Sequence, residues 1–221
     1  MGPLVIAVDG TSGSGKSSTS RRVADALDLA YLDTGSMYRA ATWWMLNRGV
    51  DTSSENAVAA LAAGPQIEAG TDPLAPSILL DGTDVSEEIR SDEVNAHVSL
   101  VARVPAVRTR LVQLQRDAIA SAPRGIVVEG RDIGSVVWPE ADLKLYLSAD
   151  PSARAARRTL EEGSADVAAT QASLAARDAI DSTRTTAPLV QADGAVSIDS
   201  TYLTLDEVVD QILQLVAGLP R

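Results

Sequence analysis

The chain has 221 residues, a net charge of −11, one histidine and no cysteine. Its length predicts one domain, or one domain with an insertion. The lack of cysteine excludes disulfides and thiolate metal or redox sites, and a single histidine excludes a metal centre built from several histidines. The acidic balance argues against broad binding to nucleic acid or to anionic membranes.

No apolar run approaches the roughly 18 residues of a membrane-spanning helix, and the first residues lack the basic region and apolar core of a signal peptide. We therefore expect a cytoplasmic protein that uses neither a membrane nor a nucleic acid as its partner. The pattern of predicted strands neither demands nor excludes a dimer, and a monomer is the expectation.

The first apolar run, residues 4–8, predicts a buried strand, and residues 18–27 predict a helix. Between them lies a segment that fits G-x-x-x-x-G-K-[ST]: Gly10, Thr11, Ser12, Gly13, Ser14, Gly15, Lys16 and Ser17. In the order strand, glycine loop and helix, the backbone N–H groups and the helix N-terminus favour a bound phosphate. Lys16 would reach the β- and γ-phosphates of a nucleotide, and the Ser17 hydroxyl would ligate Mg²⁺.

Further short apolar runs predict strands at residues 29–32, 126–128, 143–147 and 195–198. Helical patterns lie between most of them, which favours a parallel sheet covered by helices on both faces. Residues 105–120 predict one of these helices. Asp150 followed by Pro151 is typical of a helix start, and Thr204 with Glu207 predicts a capping box at the start of the last helix.

Residues 64–90 are rich in glycine and proline and differ from the rest of the chain. Short runs at 66–68, 78–80 and 83–85 predict a small antiparallel sheet inserted into the α/β domain. Asp81 and Gly82 predict a hairpin turn within it. The small, polar residues 161–170 predict a mobile loop.

The predicted helix after Asp150 carries Arg154, Arg157 and Arg158 at positions i, i+3 and i+4. Like charges at this spacing repel each other. The group therefore indicates either a solvated helix face or a lid that closes over the phosphates of a nucleoside triphosphate. The predicted mobile loop that follows favours the lid.

Arg177, Asp181 and Arg184 are spaced i, i+4 and i+7, which places them on one face of a helix. One interpretation is a salt-bridge ladder at the surface. The other is a charged face of a cleft, in which Asp181 would orient Arg177 and accept a hydrogen bond from a sugar hydroxyl.

Charged residues also follow two predicted strands, as EGRD at 129–132 and DTG at 33–35, with Tyr38 and Arg39 soon after the second. Ligands of open α/β sheets bind at the C-terminal ends of the strands, so these segments predict a site. A GTPase would carry Asn-Lys-x-Asp and Asp-x-x-Gly, and neither occurs. A small-molecule kinase needs cations around its phosphates, whereas a phosphate-loop scaffold does not. A kinase of another acceptor, such as UMP or a non-nucleotide alcohol, and a non-catalytic nucleotide-binding protein stay open as alternatives.

With these residues in view, the chain resembles the bacterial cytidylate (CMP) kinases nearly from end to end. The resemblance is carried by VDG at 8–10 with the glycine loop, LDTGSMYR at 32–39, VS at 85–86, EIR at 88–90, VPAVR at 104–108, EGRDIG at 129–134, VWP at 137–139, APL at 187–189 and IDST at 198–201. Two features depart from the family. Ser17-Ser18 stands where Gly-Thr is common, and the lid segment at 163–170 is short.

The resemblance implies an α/β, three-layer P-loop kinase fold with a five-stranded parallel sheet, a small antiparallel-sheet insertion in the NMP-binding region and a helical lid. Residues 1–221 would form one unit, with a core at about 1–35, 104–150 and 185–221, an NMP-binding region at about 36–103 and a lid at about 151–184. The implied reaction is direct in-line transfer of the γ-phosphoryl group from ATP, with Mg²⁺, to CMP or dCMP in pyrimidine nucleotide metabolism.

The resemblance also implies the site residues. ATP would be held by Gly10, Thr11, Ser12, Gly13, Ser14, Gly15, Lys16, Ser17, Ser18, Arg154, Arg157 and Arg158. CMP would be held by Thr34, Arg39, Ser99, Arg108, Arg131, Asp132, Arg177, Asp181 and Arg184. Residues implied in catalysis are Lys16, Arg131, Asp132 and Arg184.

Within the acceptor set, the resemblance implies that Arg39 and Arg131 grip the phosphate and that Arg184 bridges the phosphates. Arg177 and Asp181 would hold the ribose.

Ser99, Arg108 and Asp132 would read the edge of the cytosine base. Asp132 can accept from the N4 amino group, and Arg108 can donate to N3 and O2. Uracil instead turns the acceptor O4 toward the carboxylate. Because an unpaired buried polar group is costly, we expect CMP and dCMP to be good acceptors and UMP a poor one.

Overall fold

The structure is a computed structural model that describes residues 2–162 and 166–220, with only the backbone at residues 161 and 162. A parallel sheet lies at its centre and is built from β1 (Leu4–Gly10), β2 (Ala30–Asp33), β6 (Gly125–Gly130), β7 (Leu143–Ser148) and β8 (Val196–Asp199). Their order across the sheet is β2-β6-β1-β7-β8. Every strand lies within two residues of its predicted position, so the five-stranded parallel sheet is confirmed.

The α-helices of the described residues are α1 (Lys16–Leu27), α2 (Thr34–Leu46), α3 (Glu55–Ala60), α4 (Asp92–Ala102), α5 (Pro105–Ala120), α6 (Pro151–Glu162), α7 (Val167–Thr183) and α8 (Leu205–Ala217). A short 3₁₀ helix covers Glu88–Arg90, and a π-helical turn covers Ile133–Val137. The α-helices cover both faces of the sheet, because successive side chains of a strand point to opposite sides. Val5 and Ala7 of β1 pack with α2 and α5, while Ile6 and Val8 pack with α1 and α8. The three-layer architecture is therefore confirmed.

Two helix starts illustrate how the sequence sets the boundaries. The capping box is present, since the hydroxyl of Thr204 accepts from the backbone of Glu207 and the Glu207 carboxylate accepts from the backbone of Thr204. Helix α1 begins at Lys16 instead of the predicted Ser18, because Gly15 adopts a left-handed conformation (φ 87°) and ends the loop there.

The insertion is a three-stranded antiparallel sheet of β3 (Ile67–Ala69), β4 (Ile78–Leu80) and β5 (Thr83–Asp84). Asp81 and Gly82 join β4 to β5 with φ of 51° and 81°, and two positive φ values in succession define the predicted hairpin turn. The apolar side chains of β3 and β4 belong to the same core as those of α2. This packing fixes the insertion against the central domain.

The predicted mobile loop at 161–170 is wrong at both ends. Residues 161–162 continue α6, and residues 167–170 are the first turn of α7. Asp166 starts α7, since its carboxylate accepts from the backbone N–H of Ala169 at 2.9 Å. The rest of that prediction, residues 163–165, lies outside the described residues. Helices α6 and α7 pack against each other and bring their charged side chains to the ends of the central strands. Within residues 2–162 and 166–220, no helix combines the length and hydrophobicity needed to cross a bilayer.

Candidate active site

The glycine loop lies between β1 and α1 and has a backbone that only glycine fits. Gly10 and Gly13 have φ of 149° and 73°, and a Cβ at Gly10 would lie 2.0 Å from the carbonyl oxygen of Leu147. Lys16 donates from Nζ to the carbonyl of Thr11 at 2.7 Å, which holds its ammonium group over the loop. The loop therefore brings the N-terminus of α1 and a cation together, the combination that binds phosphate groups.

Burial, and then the nearby guanidinium of Arg131, lowers the pKa of Lys16 to about 8. The carboxylates of Glu129, Asp178 and Asp9 oppose this shift. A lowered pKa means that the charged form of Lys16 is destabilised in the free protein, so a bound anion stabilises it strongly.

Ser17, the predicted magnesium ligand, lies beside a buried carboxylate. Its hydroxyl donates to Oε2 of Glu129 at 3.0 Å, and the hydroxyl of Tyr31 donates to Oε1. Burial first, and then the charge of Asp33, raises the pKa of Glu129 to about 7. Hydroxyl and carboxylate oxygens are hard donors, and Mg²⁺ in such sites is held largely by substrate phosphates and water. The oxygens of Ser17 and Glu129 fit an Mg²⁺ ion whose other ligands are phosphates and water. The described residues contain no cluster of three or more His, Cys, Asp or Glu that would hold a metal alone.

A deep cleft extends from the glycine loop across the ends of β2 and β6 to α4, α5 and α7. All the residues predicted to hold CMP line it: Thr34, Arg39, Ser99, Arg108, Arg131, Asp132, Arg177, Asp181 and Arg184. They come from segments up to 150 positions apart in the chain. The structure therefore brings the predicted acceptor residues into one site.

The far end of the cleft holds a buried ion pair. Nη2 of Arg108 donates to Oδ2 of Asp132, and these side chains are 4% and 6% exposed. Nη2 of Arg184 lies 3.5 Å from the other oxygen of Asp132. Burial raises the pKa of Asp132 despite these two arginines. Since each partner keeps unused donors or lone pairs, the pair can recognise a polar base edge without separating.

The middle of the cleft is crowded with cations. Arg39 is buried and donates to the carbonyl of Ile89 at 3.0 Å and to the side chain of Asn95 at 2.8 Å. Burial, and then the charges of Arg177 and Arg158, lowers its pKa to about 9. Burial and Arg131 lower the pKa of Arg177 to about 10, and its buried Nε has no hydrogen-bond partner. Such an arrangement is suited to a phosphate.

Arg131 is held by both the glycine loop and α7. It donates to the carbonyl of Gly10 at 2.9 Å and to the hydroxyl of Ser12, and it forms ion pairs with Asp178 at 3.3 Å and Asp181 at 3.2 Å. One interpretation of the spacing is that Asp181 orients Arg177. The ion pairs of Asp181 are with Arg131 at 3.2 Å and with Arg184 at 3.9 Å.

The three lid arginines have three different environments. Arg154 donates to the carbonyl of Ser12 at 3.0 Å and pairs with Asp178, so it lies behind the glycine loop. Arg157 points away from the cleft and donates to the carbonyl and hydroxyl oxygens of Ser200. Only Arg158 of the three lines the cleft. One of these arginines binds the loop, one binds the end of β8 and one faces the ligand space. Their common closure over the donor phosphates stays a prediction.

The rest of the predicted donor set divides in a similar way. Ser12, Gly13, Lys16 and Ser17 line the cleft. Gly15 and Ser18 line an adjoining opening over the start of α1. Gly10, Thr11 and Ser14 shape the loop through their backbones and through the bond from the Ser14 hydroxyl to the carbonyl of Thr11 at 2.9 Å.

Two carboxylates at the site were not singled out from the sequence. Asp9 accepts from the backbone N–H groups of Ile133 and Gly134 at 2.7 and 2.8 Å and so fixes the segment after β6. Burial raises the pKa of Asp9 to about 6. Asp178 contacts the glycine loop and two arginines. Asp9 ends a strand next to the glycine loop, which is a detectable signal. Asp178 lies in a helix and has no comparable signal.

A parallel sheet with a glycine loop after β1, cations at the strand ends and a pair of helices over them defines a P-loop kinase of small molecules. The fold of a gluconokinase from Sinorhizobium meliloti agrees, with a TM-score of 0.52 over 97% of this chain and 92% of that one, at 15% identity.

The family model for cytidylate kinase matches residues 6–218. A cytidylate kinase of Streptomyces avermitilis is 54% identical over 96% of this chain and 92% of its own length, and one of Nocardia farcinica is 52% identical over 97% and 94%. The chain belongs to the cytidylate kinase family.

Proposed function

We propose that this protein transfers the γ-phosphoryl group of ATP to the phosphate of CMP or dCMP, giving ADP and CDP or dCDP. The observation that carries the proposal is the single cleft that joins the glycine loop at one end to the buried Arg108–Asp132 pair at the other. Arginine side chains line the cleft between these two ends, so the γ-phosphate of ATP and the phosphate of CMP can meet there.

The acceptor end supports a cytosine base. Asp132 would accept from the N4 amino group, and Arg108, which stays anchored to the carbonyl of Ala102 at 3.4 Å, would donate to N3 and O2. Ser99 lies buried in the same wall. Arg39 and Arg131 would hold the acceptor phosphate, and Arg177 with Asp181 would hold the sugar.

The donor end supports ATP. The N-terminus of α1 and Lys16 would hold the β- and γ-phosphates, and Arg158 and Arg184 would add positive charge where they meet the acceptor. Ser17, with Glu129 behind it, would hold Mg²⁺. Bound Mg²⁺ would supply charge neutralisation and a fixed geometry for the β- and γ-phosphates.

In the reaction, an oxygen of the acceptor phosphate bonds to the γ-phosphorus as the bond from that phosphorus to the β,γ-bridging oxygen breaks. The electron pair of the broken bond leaves with ADP. The acceptor phosphate is already an anion, so no residue has to remove a proton from it. Residues 151–184 would act as a lid and residues 36–103 as the acceptor-binding region. Their closure would exclude water and so protect ATP from hydrolysis.

The test is ADP formation from ATP and Mg²⁺ with CMP, dCMP, UMP, AMP, GMP or no acceptor. Strong turnover with CMP and dCMP alone is the expected result. Equal turnover with UMP would remove the base-reading role from Asp132 and Arg108. Slow ADP release that ignores the acceptor would leave an ATPase and contradict the proposed function.

A further inference from the structure

Asp178 connects the lid helices to the glycine loop. Its Oδ1 accepts from the backbone N–H of Ser12 at 3.2 Å, and its Oδ2 accepts from Nη1 of Arg154. Arg154 in turn donates to the carbonyl of Ser12 at 3.0 Å. Helices α6 and α7 thus bind both the N–H and the C=O of one loop residue, which fixes the loop relative to the lid.

The same carboxylate holds Arg131. Nη1 of Arg131 lies 3.3 Å from Oδ1 of Asp178, and the two side chains are 16% and 14% exposed. Asp181, one turn further along α7, forms an ion pair with Nε of Arg131 at 3.2 Å. Two carboxylates of one helix therefore contact Nη1 and Nε, which lie on different sides of the guanidinium. Such a planar fork has its orientation fixed when two of its edges are bonded.

Asp178 does not itself line the cleft, whereas Arg131 and Asp181 do. Its influence on the reacting phosphates must pass through Arg131 and the loop. A small misplacement of a group that orients reacting phosphates is enough to slow a transfer about 100-fold. The base would be bound by Arg108 and Asp132, whose ion pairs are with each other and with Arg184.

We propose that Asp178 is a positioning residue that fixes Arg131 and the glycine loop to the lid helices for phosphoryl transfer. This proposal rests on the proposed kinase function. Because Arg131 and the loop would also bind the phosphates, it predicts that kcat falls by a larger factor than KM for either nucleotide rises.

The experiment compares native protein, Asp178→Asn and Asp210→Asn, with CMP as the acceptor. Asp210 is an exposed residue of α8, so its substitution removes the same charge away from the site. For Asp178→Asn we expect kcat to fall about 100-fold, with KM for CMP and for ATP raised by less than about tenfold. Asp210→Asn should match the native protein. A kcat within twofold of native in Asp178→Asn, or a loss confined to KM, would overturn the proposal.

A double-mutant cycle separates positioning from general support of the fold. If Asp178 acts through Arg131, the loss in Asp178→Asn/Arg131→Ala will be at least tenfold smaller than the product of the two single losses. Losses that multiply fully would show that the carboxylate acts independently of Arg131 and would contradict the inference.

Two further outcomes have a clear meaning. If Asp178→Asn does not fold, Asp178→Ser is measured in the same way, since serine keeps an acceptor for the loop N–H without placing an amide against Arg154. Failure of both variants to fold would make Asp178 a determinant of the fold and reject the positioning role. If the native protein has no CMP kinase activity, the proposed function fails, which is a different result from an active native protein with an unaffected Asp178→Asn.

Discussion

Replacing Asp132 with asparagine tests the base-reading end of the cleft with almost no change of shape. The carboxylate faces two buried guanidinium groups, that of Arg108 in direct contact and that of Arg184 at 3.5 Å. The substitution removes one negative charge and leaves both cations in place. It also exchanges one acceptor oxygen for an amide that donates.

The magnitudes follow from these contacts. Removing one partner of a buried pair costs about 3–5 kcal/mol of stability, and we expect about 3 kcal/mol because the asparagine oxygen still accepts from Arg108. For substrate choice, a uracil O4 that faces the native carboxylate costs about 1–3 kcal/mol, which is about 5–150-fold in kcat/KM. An amide can accept from cytosine or donate to uracil. We therefore expect the preference of Asp132→Asn for CMP over UMP to fall to less than about tenfold.

The assay measures kcat/KM for CMP and UMP at saturating ATP in native protein, Asp132→Asn and the charge-matched Asp210→Asn, with thermal unfolding of each. The informative quantity is the ratio of the two kcat/KM values, because a general loss of activity cancels in it. If Asp132→Asn slows both acceptors equally and keeps the native ratio, Asp132 does not read the base and the reasoning is refuted.

Two further predictions concern the donor end. Burial and Arg131 lower the pKa of Lys16 to about 8, and the protonated amine is the form that binds phosphate, so kcat/KM for ATP should fall tenfold per pH unit above that value. A profile that stays flat from pH 8 to about 9.5 would contradict this. Arg157→Ala removes hydrogen bonds to Ser200 and should lower the free energy of unfolding by about 1.5–3 kcal/mol, with kcat little changed. Arg158→Ala removes a cation that lines the cleft and should lower kcat, with little change in the melting temperature. The opposite pattern in the two variants would reverse their roles.

Much of this architecture was predictable because its signals are local. The glycine loop is recognisable from adjacent residues, and the hairpin at Asp81 and Gly82 needs only two residues with positive φ. The capping box of Thr204 and Glu207 spans a single turn. The strand ends could be placed together because parallel strands direct their carboxyl ends to one edge of the sheet. Nothing in these steps requires knowledge of where a long side chain points.

Side-chain direction is the property that spacing did not provide. Arg154, Arg157 and Arg158 share one helix face by their spacing, yet they reach the glycine loop, the end of β8 and the cleft respectively. Their targets lie on three other segments, and a long, flexible side chain follows its nearest acceptor. The pairing of Asp178 with Arg131 has the same origin, since the two residues are 47 positions apart and meet only in the folded chain.

The electrostatics of the cleft explain why so acidic a protein can bind polyanions. The chain carries a net charge of −11, yet its cleft gathers Lys16, Arg39 and Arg177, all with pKa values lowered mainly by burial. A lowered pKa means that the charged form is held at a cost in the free protein. Phosphates that enter the cleft replace the lost solvation and remove the repulsion between neighbouring cations. The cations that bind phosphate are thereby concentrated in the cleft, where donor and acceptor meet.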